Sequence, residues 1–272
     1  MKAFFRQNRL FAICGMLAAV IVLIAVFAPW IAPHDPYETI MQNALRPPSA
    51  EYPCGTDQLG RCELSRIIYG TRASLEMTLT LVVIVFGVGT FLGMVAGYFG
   101  GAVDAVIMRI SDMMISFPGM VLAIAIAGML GPSLFNTVIA LAVVSWTKYA
   151  RLSRSLVLKI KNSAYISAAV VTGARTGRVL GGYVVPNIIP TMIVTAAMDV
   201  GTMMLELAAL SFLGLGAQPP TPEWGLMLNE GRQYLQTAPW LMLFPGIAIF
   251  MVVSVFNLMG DGLRDILDPR QD

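Results

Sequence analysis

The chain has 272 residues, 57% of them hydrophobic and 12% charged, about half the charged share of an ordinary soluble domain, which argues against a soluble globule. Eighteen Lys and Arg against sixteen Asp and Glu leave a formal charge of +2, no basis for a nucleic acid or another polyanionic partner. Three Cys are too few for a disulfide-built scaffold, and the single histidine, His34, argues against a His-built metal or catalytic centre.

A bilayer core about 30 Å thick needs roughly 20 apolar residues per spanning helix, and six stretches qualify. The first, 10–31, follows Lys2, Arg6 and Arg9. At about 22 residues it is longer than the core of a signal peptide, and Pro29-Trp30-Ile31 makes a poor cleavage site, so it is read as a retained first transmembrane helix. Pro33, Pro36, Pro47, Pro48 and Pro53 then punctuate a long external loop over 32–72. Spans follow at 73–98, 105–130 and 134–157, separated by Gly100-Gly101 and Gly131-Pro132, connections short enough to make neighbours antiparallel. Pro118 falls inside the third span and Pro245 inside the last, where neighbouring helices satisfy the freed carbonyl. A cytoplasmic loop at 159–183 leads to a fifth span at 184–214, and an external loop at 216–237 to a sixth at 238–259.

Most Lys and Arg fall on one side of these spans: Lys2, Arg6 and Arg9 ahead of the first, Lys148 to Arg178 around the fourth and the loop after it, Arg264 and Arg270 after the last. The positive-inside rule therefore puts both termini in the cytoplasm. No internal repeat or low-complexity tail is visible, and residues 1–272 read as one membrane domain.

Charges inside spans need a partner or a function. Asp199 and Glu206 are seven residues apart, two turns along one face of the fifth span. That face lines a translocation path, or the two carboxyls are packed and neutralised by hydrogen bonds to neighbouring helices. Arg109 and Asp112, three apart, are expected to pair locally, and Lys148, Arg151 and Arg154 to reach lipid phosphates. Eighteen Met residues scattered across the spans suit adaptable packing better than thioether metal ligation. Cys54 and Cys62 lie outside the membrane, where disulfides persist; a bridge between them or two free thiols both remain open. Pro219, Pro220, Pro222, Trp224 and Tyr234 give the loop at 216–237 an aromatic, proline-rich outward surface, read as a binding-protein receptor, an interfacial belt, or both.

The cytoplasmic loop is the most informative segment. Ala168, Ala169, Val170 and Val171 suit a short helix that Gly173 ends, with Pro186 opening the next membrane helix. A compact helix pinned between two spans suits docking into a partner's groove. Ser167, Ala168, Ala169, Gly173 and Pro186 resemble the EAA loop of ABC importer permeases, in which Glu-Ala-Ala is followed by Gly at the seventh position and Pro at the twentieth. Ser167 replaces the usual acidic residue, and Tyr183 stands where relatives often carry His.

Gly55-Thr56-Asp57-Gln58-Leu59-Gly60-Arg61, Gly100-Gly101 with Asp104 and Arg109, Leu210-Ser211-Phe212-Leu213-Gly214, Glu223-Trp224-Gly225 and Phe256-Asn257-Leu258 extend the resemblance to the dipeptide, oligopeptide and nickel branch of that family. The resemblance implies an all-α polytopic membrane protein of six transmembrane helices, with the fold of a type I ABC importer permease. It also implies a second permease subunit, two cytoplasmic ABC ATPase subunits, an extracytoplasmic solute-binding protein and a setting of membrane lipid. No stretch fits G-x-x-x-x-G-K-[ST], so nucleotide phosphates are not cradled by a P-loop of this chain; ATP and magnesium would be used by the partner ATPases, and this chain is expected to be no enzyme. A secondary transporter would need its own ion site and often shows inverted repeats, of which nothing is visible. An intramembrane enzyme lacks H-E-x-x-H and G-x-S-x-G.

Overall fold

A computed structural model describes residues 9–267; Lys2, Arg6 and Arg270, used above for orientation, lie outside the described residues. The chain forms α1 (Arg9–Ile31), α2 (Glu63–Phe99), α3 (Gly101–Ile115), α4 (Gly119–Leu130), α5 (Leu134–Lys161), α6 (Ala164–Val171), α7 (Thr176–Val179), α8 (Val185–Phe212), α9 (Trp224–Gly231) and α10 (Trp240–Leu267). Helices α1, α2, the continuous run from Thr176 to Phe212, and α10 are long and apolar enough to cross a membrane. The pair α3 and α4, bent by 91° at the break between them, is long and apolar enough only when taken together.

The span expected over 105–130, with Pro118 inside it, is broken into two helices by this bend. Pro118 lacks an amide hydrogen and pushes Phe117 out of the helical region, so the helix stops at Ile115 and restarts at Gly119. The remaining helix, α5, has the length at 28 residues, but Lys148, Arg151 and Arg154 lower its apolarity. It belongs to the bundle because a carboxylate from another helix meets each of those charges: Asp199, Asp112 and Asp104 respectively.

Helix α5 packs closely on α2. Gly89, Gly93 and Gly97 place a glycine on one face of α2 at every turn, and α5 lies directly on that stripe. A Cβ on Gly89 would come within 2.5 Å of Tyr149 Cβ, one on Gly93 would overlap the Ala150 carbonyl oxygen, and one on Gly97 would come within 2.9 Å of Val157 Cβ. Contacts advance in step along both helices, so α2 and α5 run parallel and α3–α4 returns the chain across the membrane. Small residues at every fourth position allow such close approach where lipid supplies no hydrophobic drive.

Helix α10 runs antiparallel to α8: Gly201 lies against Asn257, and Gly260 against Met198. At its far end Gly262 meets Phe11 of α1, so the described ends of the chain share one end of the bundle with α6. Helix α1 buries only a narrow stripe, Cys14, Ala18, Ala25 and Ala28, and leaves Met16, Leu23 and Phe27 exposed as a lipid-facing surface. The opposite end is capped by the segment 32–62. It is shorter than the expected loop because α2 starts at Glu63, and the side chains of Glu63 and Arg66 that read as loop are buried in the first turn of this helix.

Candidate functional site

At the end bearing α6, the expected short helix is present and its termination is visible in detail. Gly173 has φ +85°, its N–H donates to the Val170 carbonyl at 3.0 Å, and Ala174 N–H donates to the Ala169 carbonyl at 3.0 Å. These paired bonds form a Schellman motif, which needs a left-handed residue at the position after the cap and so favours glycine. Ile166 and Ala169 are buried, while Ser167 and Ala168 face outward. Beside them Val170 is 51% exposed and Val171 87% exposed. An apolar helix end is thus presented to whatever covers this side of the bundle.

Pro186 stands in the first turn of α8, as expected, but α8 is not where the helical path starts. The helical run begins at Thr176, and a π turn over Leu180–Val184 precedes Pro186. The proline ring would clash with the carbonyl four residues back in a regular α-helix, and the wider turn removes that clash.

Asp199 and Glu206 do lie along one side of α8, but they are not paired with each other. Asp199 accepts from Lys148 Nζ at 2.6 Å and is buried; its second oxygen, Oδ2, has no hydrogen-bond partner among the described residues. Ser145, Thr147 and Lys148 of α5 with Asp199, Thr202, Met203 and Glu206 of α8 line an open cleft of about 140 Å³. The expected lipid anchoring of Lys148, Arg151 and Arg154 is therefore replaced by three interhelical ion pairs. Asp112 pairs with Arg151 rather than with Arg109, which is exposed and has no ion pair among the described residues. Arg151 also donates to Ser111 Oγ. The local partner loses because the α5 guanidinium approaches α3 from across the interface. Met108, Asp112, Arg151 and Arg154 surround an open hollow of about 370 Å³ beside it.

The opposite end carries a buried ionic cluster that sequence reasoning missed. Arg61 Nε donates to Asp57 Oδ2 at 2.5 Å; Arg66 lies 3.3 Å from the same oxygen and 2.7 Å from Glu230. Arg61 and Arg66 are 1% and 0% exposed. The cluster ties the 54–66 segment to α9. The outward surface expected at 216–237 is only partly there, since Trp224 is 2% exposed. Its indole N–H donates to the Ile67 carbonyl at 3.0 Å, and its ring fills the space left by the missing side chain of Gly70. Glu223 caps α9 by accepting from the N–H groups of Gly225 and Leu226 at 2.9 and 2.8 Å. Burial raises its carboxyl above the ordinary range, against the lowering pull of those two N–H groups. The motif Glu-Trp-Gly was legible in the sequence; that it folds inward was not.

Cys54 and Cys62 are free thiols in the structure. Cys62 is 2% exposed, and burial, with the nearby Glu63 and Cys62, pushes the Cys54 thiol up to about 11. The thiolate is the reactive form, so iodoacetamide alkylation of Cys54 in intact membranes is expected to be slow at pH 7 and to rise about tenfold per pH unit. After denaturation without reductant, mass spectrometry is expected to find both cysteines alkylated; a pair that stays unlabelled would mean a bridge.

Residues 89–272 match the family model described as the binding-protein-dependent transport system inner membrane component. Residues 3–48 match the N-terminal TM domain of oligopeptide transport permease C. The chain is 46% identical over 265 residues to the dipeptide transport system permease protein DppC of Alkalihalophilus pseudofirmus, covering 97% of this chain and 87% of that protein. It is 41% identical over 255 residues to the nickel transport system permease protein NikC of Escherichia coli K12, covering 94% and 92%. Among solved structures, the MetNI methionine ABC transporter in inward-facing conformations matches with a TM-score of 0.59 at 18% identity, over 74% of this chain and 95% of that one; this likeness speaks to the fold.

Proposed function

The chain belongs to the binding-protein-dependent transport system inner membrane components, the permeases of ABC importers, and on that premise we propose how it works and what it carries. It sits in the cytoplasmic membrane with both termini and α6 inside, beside a second permease subunit, over two ABC ATPases that use ATP and magnesium, and under an extracytoplasmic solute-binding protein. The positive charge near α6, from Lys159 to Arg178, supports that orientation. The solute is small, a short peptide or a chelated nickel ion, in keeping with relatives named as dipeptide, nickel and glutathione permeases. The α8 face bearing Asp199 and Glu206 forms one wall of its path.

The observation that carries this reading is the apolar tip of α6. Val170 and Val171 are exposed on a helix whose other face is anchored by Ile166 and Ala169, and Gly173 fixes its exit. A groove on an ATPase subunit that holds this tip converts nucleotide-driven closure into rocking of α5 and α8, the two helices that flank α6. Val171→Asp places a charge where the partner's groove needs an apolar group and leaves the permease's own core untouched. It is expected to leave the amount of permease in the membrane unchanged, to release the ATPase subunits on purification, and to lower ATP-driven uptake at least about tenfold, since loss of about 1.4 kcal/mol is tenfold in an equilibrium. Uptake that survives in ATP-depleted vesicles with an ion gradient would instead mean a secondary transporter.

A further inference from the structure

The polar side chains of α8 form one line. Asn187, Thr191, Thr195, Asp199, Thr202 and Glu206 recur every three or four residues, which is one face of an α-helix. At 1.5 Å per residue the line is about 28 Å long, close to the roughly 30 Å of a bilayer core. The neighbouring positions Met192, Val200, Met203, Met204 and Leu207 are apolar and buried in the core. Along the polar line Asn187, Thr191 and Thr202 are exposed, while Asp199 is drawn against α5 by Lys148. Thr202 is exposed and Glu206 half-buried, a poor match to hydrocarbon and a good one to a water-filled passage.

Charge along this line is not balanced. Lys148 meets Asp199 Oδ1 at 2.6 Å, which accounts for one carboxylate. Asp199 Oδ2 is buried near the Tyr149 hydroxyl, and Glu206 has no ion pair among the described residues. The cleft therefore holds one positive and two negative groups, and inside a protein such an excess acts more strongly than in water. Met203, Thr202, Ser145 and Thr147 supply the remaining lining, none of it cationic.

We propose that this cleft is a subsite for an ammonium group of the solute, such as the amino terminus of a short peptide, which Glu206 receives beside the Lys148–Asp199 pair as it passes along the polar line of α8. Lys148 holds Asp199 in place and keeps the excess at one negative charge, so that the ammonium is attracted without being trapped. The assignment deepens the permease reading and rests on it for the identity of the solute. The cleft's water access and sign can be tested without knowing that solute.

The test uses the whole transporter in membrane vesicles, with Thr202→Cys as a reporter and two methanethiosulfonate probes, one bearing a quaternary ammonium and one a sulfonate, with and without ATP and vanadate. Thr202→Cys is expected to react in at least one state, whereas Leu205→Cys, on an exposed apolar position of the same helix, stays unreactive in both. The cationic probe is expected to react at least about tenfold faster than the anionic one. Adding Glu206→Gln brings the two rates within about twofold; adding Glu206→Asp keeps the preference, which separates charge from side-chain size. A Thr202→Cys that stays unreactive in both states overturns the water-filled line, and a ratio that ignores Glu206→Gln overturns the ammonium subsite. The preference for the cationic probe and its response to Glu206→Gln are read within a single state, so failure here is distinct from failure of the Val171→Asp experiment.

Discussion

Gly93→Val is expected to remove most correctly folded permease from the membrane, whereas Gly87→Val on the same helix is tolerated. A Cβ at Gly93 would overlap the Ala150 carbonyl oxygen and crowd its carbon and Cα at 2.7 and 2.8 Å, whereas nothing lies within 4 Å of a Cβ at Gly87. The obstacle at Gly93 is backbone in the middle of α5, which cannot swing aside as a flexible side chain does. Relief requires α2 and α5 to separate along their whole contact, which also breaks the bond from Ser153 Oγ to the Thr90 carbonyl at 2.9 Å. Overpacking in a well-packed interior costs about 1–3 kcal/mol even where side chains can adjust; here they cannot, so about 3 kcal/mol is a lower bound. Quantitative blots of the membrane fraction and thermal melting in detergent check the pair of variants. Equal behaviour at both positions would show that the glycine stripe is not what sets the distance between these helices.

The same stripe illustrates what the sequence allowed to be read. Gly89, Gly93 and Gly97 stand at spacing four in plain view, and small residues at that spacing are a known signal for close helix approach. The facing residues, 146 to 157, carry no matching signature, because the partner of a small residue in a groove is backbone. Apolar length marked the stretches that form the long helices α1, α2, α8 and α10, and Gly173 predicted the end of α6 because a left-handed position after a helix cap selects glycine locally.

Readings failed where the deciding partner was distant in sequence. Asp112 was given to Arg109, three residues away, yet it belongs to Arg151, 39 residues on. Lys148 was given to lipid, yet it belongs to Asp199, 51 residues on. Local spacing states which charges are able to meet on one helix; it carries no information about a second helix that reaches the same place. The start of α2 was missed for a related reason. Arg66 looks like a loop residue until Asp57 and Glu230 are seen beside it, and a buried charge is tolerated only with such partners. The polar line of α8 lay within reach of the same periodicity that linked Asp199 to Glu206, but its threonines are weak signals until the apolar remainder is seen to be buried.

That buried cluster is where the second large effect is expected. Arg66→Met should destabilise the 54–66 segment and α9 together, by about 3–5 kcal/mol, the usual range for removing one member of a buried pair. Arg66 bridges Asp57 at 3.3 Å and Glu230 at 2.7 Å, so its loss leaves two carboxylates facing Arg61 alone, which sits 3.4 Å from Glu230. The cost then comes mainly from the uncompensated carboxylate, which predicts that removing it as well restores stability. Arg66→Met with Glu230→Leu is expected to be more stable than Arg66→Met by itself, with a coupling of about 0.5–3 kcal/mol in the double-mutant cycle. Limited proteolysis of the 32–62 segment in oriented vesicles reads the local effect, and thermal melting reads the global one. Arg72→Met, at an exposed position one turn and a half further along α2, controls for loss of positive charge. If the double variant is no better than Arg66→Met, the guanidinium acts through its packing against the walls of the cluster, because then it is volume and not charge that Glu230 was missing.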